Sequence, residues 1–183
     1  MAHSVAEALH TFSQRYLDAY QAAHQHLPEN EELADWVSPC VKQKFEHSVY
    51  WQPVARDEVA DLTNVENGIE IALHEDIHSF YGIQYSADMA ASWNGNALNL
   101  LQVWSDEDYQ RLQENILGHL VMQRRLKQKP TVFIATTDDE MEVVSICNLT
   151  GNVILEKLGT DNRQVLSDNV ASFLLQLEPE VDA

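Results

Sequence analysis

Residues 88–109, DMAASWNGNALNLLQVWSDEDY, decide the fold. At their centre stands Asn94-Gly95, the dipeptide that best tolerates the positive φ angles of a type I′ turn. The flanking segments, Asp88 to Trp93 and Asn96 to Trp104, are therefore predicted to pair as a β-hairpin. A helix is expected to follow at once. Ser105 caps it, Asp106, Glu107 and Asp108 occupy its electropositive first turn, and Tyr109, Leu112, Ile116 and Leu120 recur on one face. Arg124, Arg125 and Lys127 complement the negative end of the same helix before Pro130 closes the segment.

Upstream, Ser4 and Glu7 form a capping box ahead of Val5, Ala8, Leu9, Phe12, Tyr16, Ala19, Tyr20 and Ala23, which predicts a helix ending before Pro28. Leu27 to Pro39 is irregular and acidic, with Glu29, Glu31, Glu32 and Asp35 beside Trp36. Ser48 to Pro53 is expected as a short edge strand stopped by proline. Downstream, Thr131–Thr136, Glu142–Asn148 and Val153–Leu158 alternate as neighbouring antiparallel strands. Val165, Leu166, Val170, Phe173, Leu174 and Leu177 predict a last amphipathic helix before a short acidic tail. The order of elements implies an α+β fold, a single domain over residues 1–183 built on a mostly antiparallel sheet with flanking helices.

Charge narrows the function. There are 29 acidic and 11 basic residues, a formal net of −18. Phosphate binding needs Lys and Arg to replace counterions, so nucleic acid and acidic lipid are disfavoured and a cationic partner is favoured. Arg111, Arg124, Arg125, Lys127 and Lys129 supply five of the eleven basic residues in one stretch whose sole acid is Glu114. Cys40 and Cys147 lack a C-x-x-C partner and are expected as reduced thiols. The chain opens without a basic and apolar leader and its longest weakly charged stretch, Ser79–Ser105, is interrupted by polar residues, so neither secretion nor membrane spanning is expected.

One stretch suggests catalysis. His74-Glu75-Asp76-Ile77-His78 has the H-E-x-x-H spacing of a zinc protease. Catalytic zinc requires a third protein ligand, and the metzincin extension would need glycine at 81 and histidine at 84, where Tyr81 and Gln84 stand. Ile69, Leu73, Ile77 and Phe80 form the apolar stripe of a helix through this region, which leaves both histidines solvated. No phosphate loop, nucleophile elbow or neighbouring Cys-His pair occurs, and the carboxylate pairs Asp106/Asp108 and Asp138/Asp139 fall in a helix cap and a turn. The expectation is a protein without metal, cofactor or turnover.

Seven segments carry a resemblance: Ser38–Cys40 (SPC), Val49–Pro53 (VYWQP), Ile77–Gly82 (IHSFYG), Leu100–Lys127 (LLQVWSDEDYQRLQENILGHLVMQRRLK), Phe133–Thr137 (FIATT), Ser145–Gly151 (SICNLTG) and Glu156–Thr160 (EKLGT). Together they resemble Syd, the SecY-interacting protein family. The resemblance implies a compact α/β domain related to the SUKH/immunity-protein superfamily. It also implies a non-enzymatic cytosolic protein held at the cytoplasmic side of the inner membrane by SecY, which checks or regulates assembly of the SecYEG translocon. His74 and Glu75 lie outside the family pattern.

The positive-inside rule makes cytoplasmic loops of a membrane protein rich in Lys and Arg, a fitting target for a chain of this charge. A concave acidic face is therefore expected to receive SecY's loops, with Asp88, Glu107, Asp108 and Glu66 as acidic contacts and Tyr50, Trp51 and Tyr81 as aromatic ones. Trp93 and Trp104 are expected in the core instead. The competing function is an immunity-type protein that neutralises a basic toxin with the same surface.

Overall fold

A computed structural model describes residues 4–181. The expected acidic tail and domain limits run on into residues outside that range. In chain order the elements are α1 (Val5–His24), β1 (Glu29–Asn30), β2 (Val41–Lys44), β3 (Val49–Trp51), β4 (Val54–Ala55), α2 (Thr63–Ile69), α3 (Glu75–Gly82), β5 (Gln84–Tyr85), β6 (Met89–Trp93), β7 (Asn96–Leu100), α4 (Asp106–Arg125), β8 (Thr131–Thr137), β9 (Glu142–Cys147), β10 (Val153–Lys157), β11 (Arg163–Ser167), α5 (Val170–Gln176) and β12 (Glu178–Pro179).

The main sheet has the order β11-β10-β9-β8-β7-β6-β12, and its pairs are antiparallel. It is built outward from the hairpin. Asn94 (φ 50°) and Gly95 (φ 83°) both take positive φ, and the register Met89↔Leu100 to Trp93↔Asn96 follows from that two-residue turn. Leu98 and Leu100 alternate inward, and β8 pairs along β7 from Leu98↔Thr137 to Leu100↔Ala135. A smaller sheet, β1-β3-β2, and the pair β4-β5 lie apart from it in pairing.

The helices close over one hydrophobic core. α1 packs on α5 and α3, and α2 packs on α4. Ser4 Oγ accepts from the Glu7 N–H at 3.0 Å, and α1 ends at Gln25 in the left-handed conformation, short of Pro28 as expected. α4 is clamped at its far end, where the Gln123 amide donates to Thr131 Oγ1 and accepts from the Thr131 N–H. The two described cysteines are free and buried. No helix among the described residues is long and apolar enough to cross a membrane. The result is the expected single α+β domain on an antiparallel sheet.

Three expectations fail. β3 is not an edge strand: β1 and β2 pair on its two sides, and Pro53 only ends it. The last helix begins at Val170, because residues 163–167 are a strand, Asn169 caps the helix, and the Asn169 carboxamide oxygen accepts from the Ser172 N–H at 2.8 Å. Val165 and Leu166 thus belong to a sheet edge. Finally, Ile69 to Phe80 is two helices, broken where Glu70 turns left-handed (φ 60°).

Candidate partner-binding site

Asp88 is the residue before β6, and the hairpin register sets it opposite the end of β7. There the Gln102 N–H donates to Asp88 Oδ1 at 2.8 Å, while the Asn99 amide reaches Oδ2 at 3.5 Å. Asp108 arrives from the first turn of α4. Ser105 Oγ accepts from its N–H at 3.2 Å, and Asp108 Oδ2 in turn accepts from the Trp104 N–H at 2.9 Å, so the helix cap fixes the carboxylate. Glu32 comes from the acidic loop after β1. That loop is stapled to the same junction, because Ser38 Oγ donates to the Trp104 carbonyl at 2.6 Å and the Trp104 indole donates to the Trp36 carbonyl at 3.2 Å.

These three carboxylates line one open hollow of about 540 Å³, floored in part by Phe133 and walled by Arg111 and Leu112 of α4. Arg111 is its basic side chain. Asp88 is exposed by surface area, yet neighbouring protein atoms crowd its carboxylate from the hollow side. Burial is the largest cause raising its pKa to about 6; the charges of Asp108 and Glu32 add to the rise, and the Gln102 hydrogen bond opposes it.

Of the contacts expected from sequence, Asp88 and Asp108 meet here. Glu107 is exposed on the first turn of α4 but outside the lining. Glu66 is elsewhere, where its Oε2 accepts from the Leu73 N–H at 2.7 Å and lies 3.3 Å from His78 Nε2, tying α2 to the start of α3. Tyr50 is partly buried, stacked on His26 with ring centres 4.7 Å apart. Trp51 and Tyr81 must be withdrawn as aromatic contacts. They are 2% and 1% exposed. Trp51 stacks on Tyr16 and Tyr81 donates its hydroxyl to the Phe133 carbonyl at 2.6 Å, so both serve the core. Trp104 is buried as expected, whereas Trp93 is partly buried and stacks on Phe173. Glu32 and Arg111 were missed as site residues, and Trp36, though read beside Glu32, was not tied to Arg111. The acidic run 29–35 was visible, but nothing local said that it folds beside Asp88.

HEDIH has a different use. His74 is the N-cap of α3, accepting from the Asp76 N–H at Nδ1, with its own N–H donated to Asn148 Oδ1 at 2.7 Å. His78 Nδ1 accepts from the Leu62 N–H at 2.9 Å. The two side chains are 26% and 21% exposed, so they are not solvated as expected. Among the described residues no three His, Cys, Asp or Glu side chains are placed to hold a metal ion.

The family model described as "Syd protein (SUKH-2)" matches residues 6–179. The chain belongs to the Syd family. Proteins named Protein Syd are 58% identical in Aliivibrio fischeri strain MJ11, over the whole of both chains, and 49% identical in Pectobacterium carotovorum strain PC1, over 98% of each. Protein Syd of Yersinia pestis strain Pestoides F is 48% identical over 96% of each. The Syd relationship therefore spans the acidic loop, the hairpin and α4, the parts that build the hollow, and the family description carries the expected SUKH relation.

Proposed function

We propose that this Syd-family chain is a non-enzymatic partner of SecY on the cytoplasmic side of the inner membrane. It binds the basic cytoplasmic loops of the channel in the hollow between the acidic loop, the hairpin and α4, and so checks or regulates assembly of SecYEG. The observation that carries this reading is the convergence of Glu32, Asp88 and Asp108, from three separate segments, on one hollow. A net charge of −18 gives long-range attraction to lysines and arginines. The hollow supplies what bulk charge cannot, a place where a cation meets several carboxylates and apolar walls together.

The test is capture of SecYEG from detergent-solubilised membranes by the immobilised chain. The wild type is expected to retain SecYEG at low salt and release it as salt rises. The double variant Glu32→Lys/Asp88→Asn is expected to lose it. Glu46→Lys, a charge reversal at an exposed position outside the hollow lining, is expected to retain it. Equal losses in both variants would leave only bulk charge, and capture of a soluble basic toxin in place of SecYEG would replace the partner.

A further inference from the structure

The hollow already holds one cation, and its contacts specify what else can sit there. Arg111 places NH2 3.2 Å from Asp108 Oδ1, and its guanidinium carbon is 4.8 Å from the centre of the Trp36 ring. Neither hold is strong. The ion pair is 51% and 31% exposed and Trp36 is 39% exposed, and solvent weakens an exposed ion pair and an exposed cation–π contact alike.

The Asp108 carboxylate and the Trp36 backbone, by contrast, are held without Arg111. Asp108 is fixed by the Trp104 N–H through Oδ2, which leaves Oδ1 toward the hollow. Trp36 is anchored through its carbonyl to the Trp104 indole, with Ser38 held to the same residue. The carboxylate and the backbone that carries the Trp36 indole are thus placed by contacts other than Arg111, and the occupant is a side chain that can swing away.

We propose that Asp108 and Trp36 form a guanidinium subsite, filled in the free protein by Arg111 and taken over by an arginine of the bound partner. The proposal rests on the reading of the hollow as a site for a basic segment and adds its selectivity. Arginine can stack its planar group on the indole while donating to the carboxylate; lysine offers a point charge and no plane. Arg111 is then an internal competitor, which a lone lysine displaces poorly and an arginine displaces well.

Two peptides of equal length and charge, one with arginines and one with lysines, test this against the full chain, Arg111→Gln and Arg111→Gln/Trp36→Leu. Removing the Arg111 charge helps any cation, so it should tighten the lysine peptide about twofold, whereas vacating the niche should tighten the arginine peptide about fivefold or more. Adding Trp36→Leu should abolish the difference between the peptides. Equal gains for both peptides, or no gain for arginine, overturn the subsite while leaving the hollow as a cation site. Absence of binding to either peptide by both wild type and Arg111→Gln overturns both readings. Arg111 is solvent-facing, and unchanged thermal unfolding of the variants confirms that the comparison is one of binding.

Discussion

HEDIH and the hollow make an instructive pair. The first gathers two imidazoles and two carboxylates in five consecutive residues, and the second gathers three carboxylates from positions 32, 88 and 108. Yet local density belongs to the region that is mainly scaffold. An imidazole has two nitrogens, and His78 spends one on the Leu62 N–H while the other faces Glu66. A carboxylate has about four acceptor directions. Asp108 can therefore cap α4 with one oxygen and still offer the other to a cation, as Asp88 can after accepting from Gln102. Availability depends on what the backbone leaves unspent.

If the HEDIH region is scaffold, substitutions there should cost stability before anything else. The largest effect is expected at Gly82, the last residue of α3. A Cβ at that position would lie 2.0 Å from the Ala60 carbonyl oxygen, and the Ala60 N–H donates to the Gly82 carbonyl at 2.9 Å, so two backbones are in direct apposition. Backbone cannot move aside as a side-chain tip can. Gly82→Ala should destabilise by about 3 kcal/mol or more, a fall in melting temperature of about 6–12 °C at this chain length. A loss under a degree would mean that α3 and residue 60 shift freely.

His78→Ala comes next. It strips the acceptor from the Leu62 N–H, ahead of α2, and leaves Glu66 without its histidine. An unsatisfied amide in a largely covered position costs about 1–3 kcal/mol, and His78→Asn, which keeps an acceptor near the ring's Nδ1, should recover part of it. Zinc or a chelator should leave the wild-type melting curve unmoved. A zinc-dependent rise abolished by His78→Ala would return HEDIH to metal chemistry and break the contrast.

The same contrast explains what the sequence made legible. The hairpin and α4 were readable because their determinants are local: Asn94-Gly95 fixes a turn, and Ser105 with Asp108 fixes a cap three residues later. Residues 163–167 were misread because Leu166 lies four residues before Val170, a spacing that also fits a helix; pairing with β10, a non-local event, decides for strand. Likewise β3 gained its second neighbour from β1, only two residues long and without periodicity of its own. The acids of the hollow were visible as acids, and Asp88 and Asp108 were among the candidates. Their meeting with Glu32 depends on Trp104, whose indole and carbonyl tie down the 36–38 loop. Trp51 and Tyr81 show the reverse: within matched segments they read as contacts, but packing against Tyr16 and the bond to Phe133 turn them inward.

The smallest effect separates the two regions by sign. In the hollow, removing a charge should stabilise. The folded-state pKa of Asp88, about 6, lies above the ordinary 3.8, so between those values the folded chain holds a proton that the unfolded chain has lost. Stability attributable to this group therefore falls as pH rises through that window and stays lower above it. Asp88→Asn retains an acceptor for the Gln102 N–H and removes the charge beside Asp108 and Glu32. Because Asp88 keeps accessible surface, solvent screening reduces the expected gain to about 1 kcal/mol at pH 7.5, or about 2–4 °C in melting temperature. The gain should shrink as pH falls from about 6 toward 3.8 and vanish only below about pH 3, where the carboxyl is protonated in both states. Binding of a basic segment should move oppositely, weakening for the wild type between about pH 7 and pH 5 as Asp88 takes up its proton, and less so for Asp88→Asn. A variant destabilised equally at every pH would show that Asp88 is only a backbone acceptor, spent like His78, and the difference between the two regions would close.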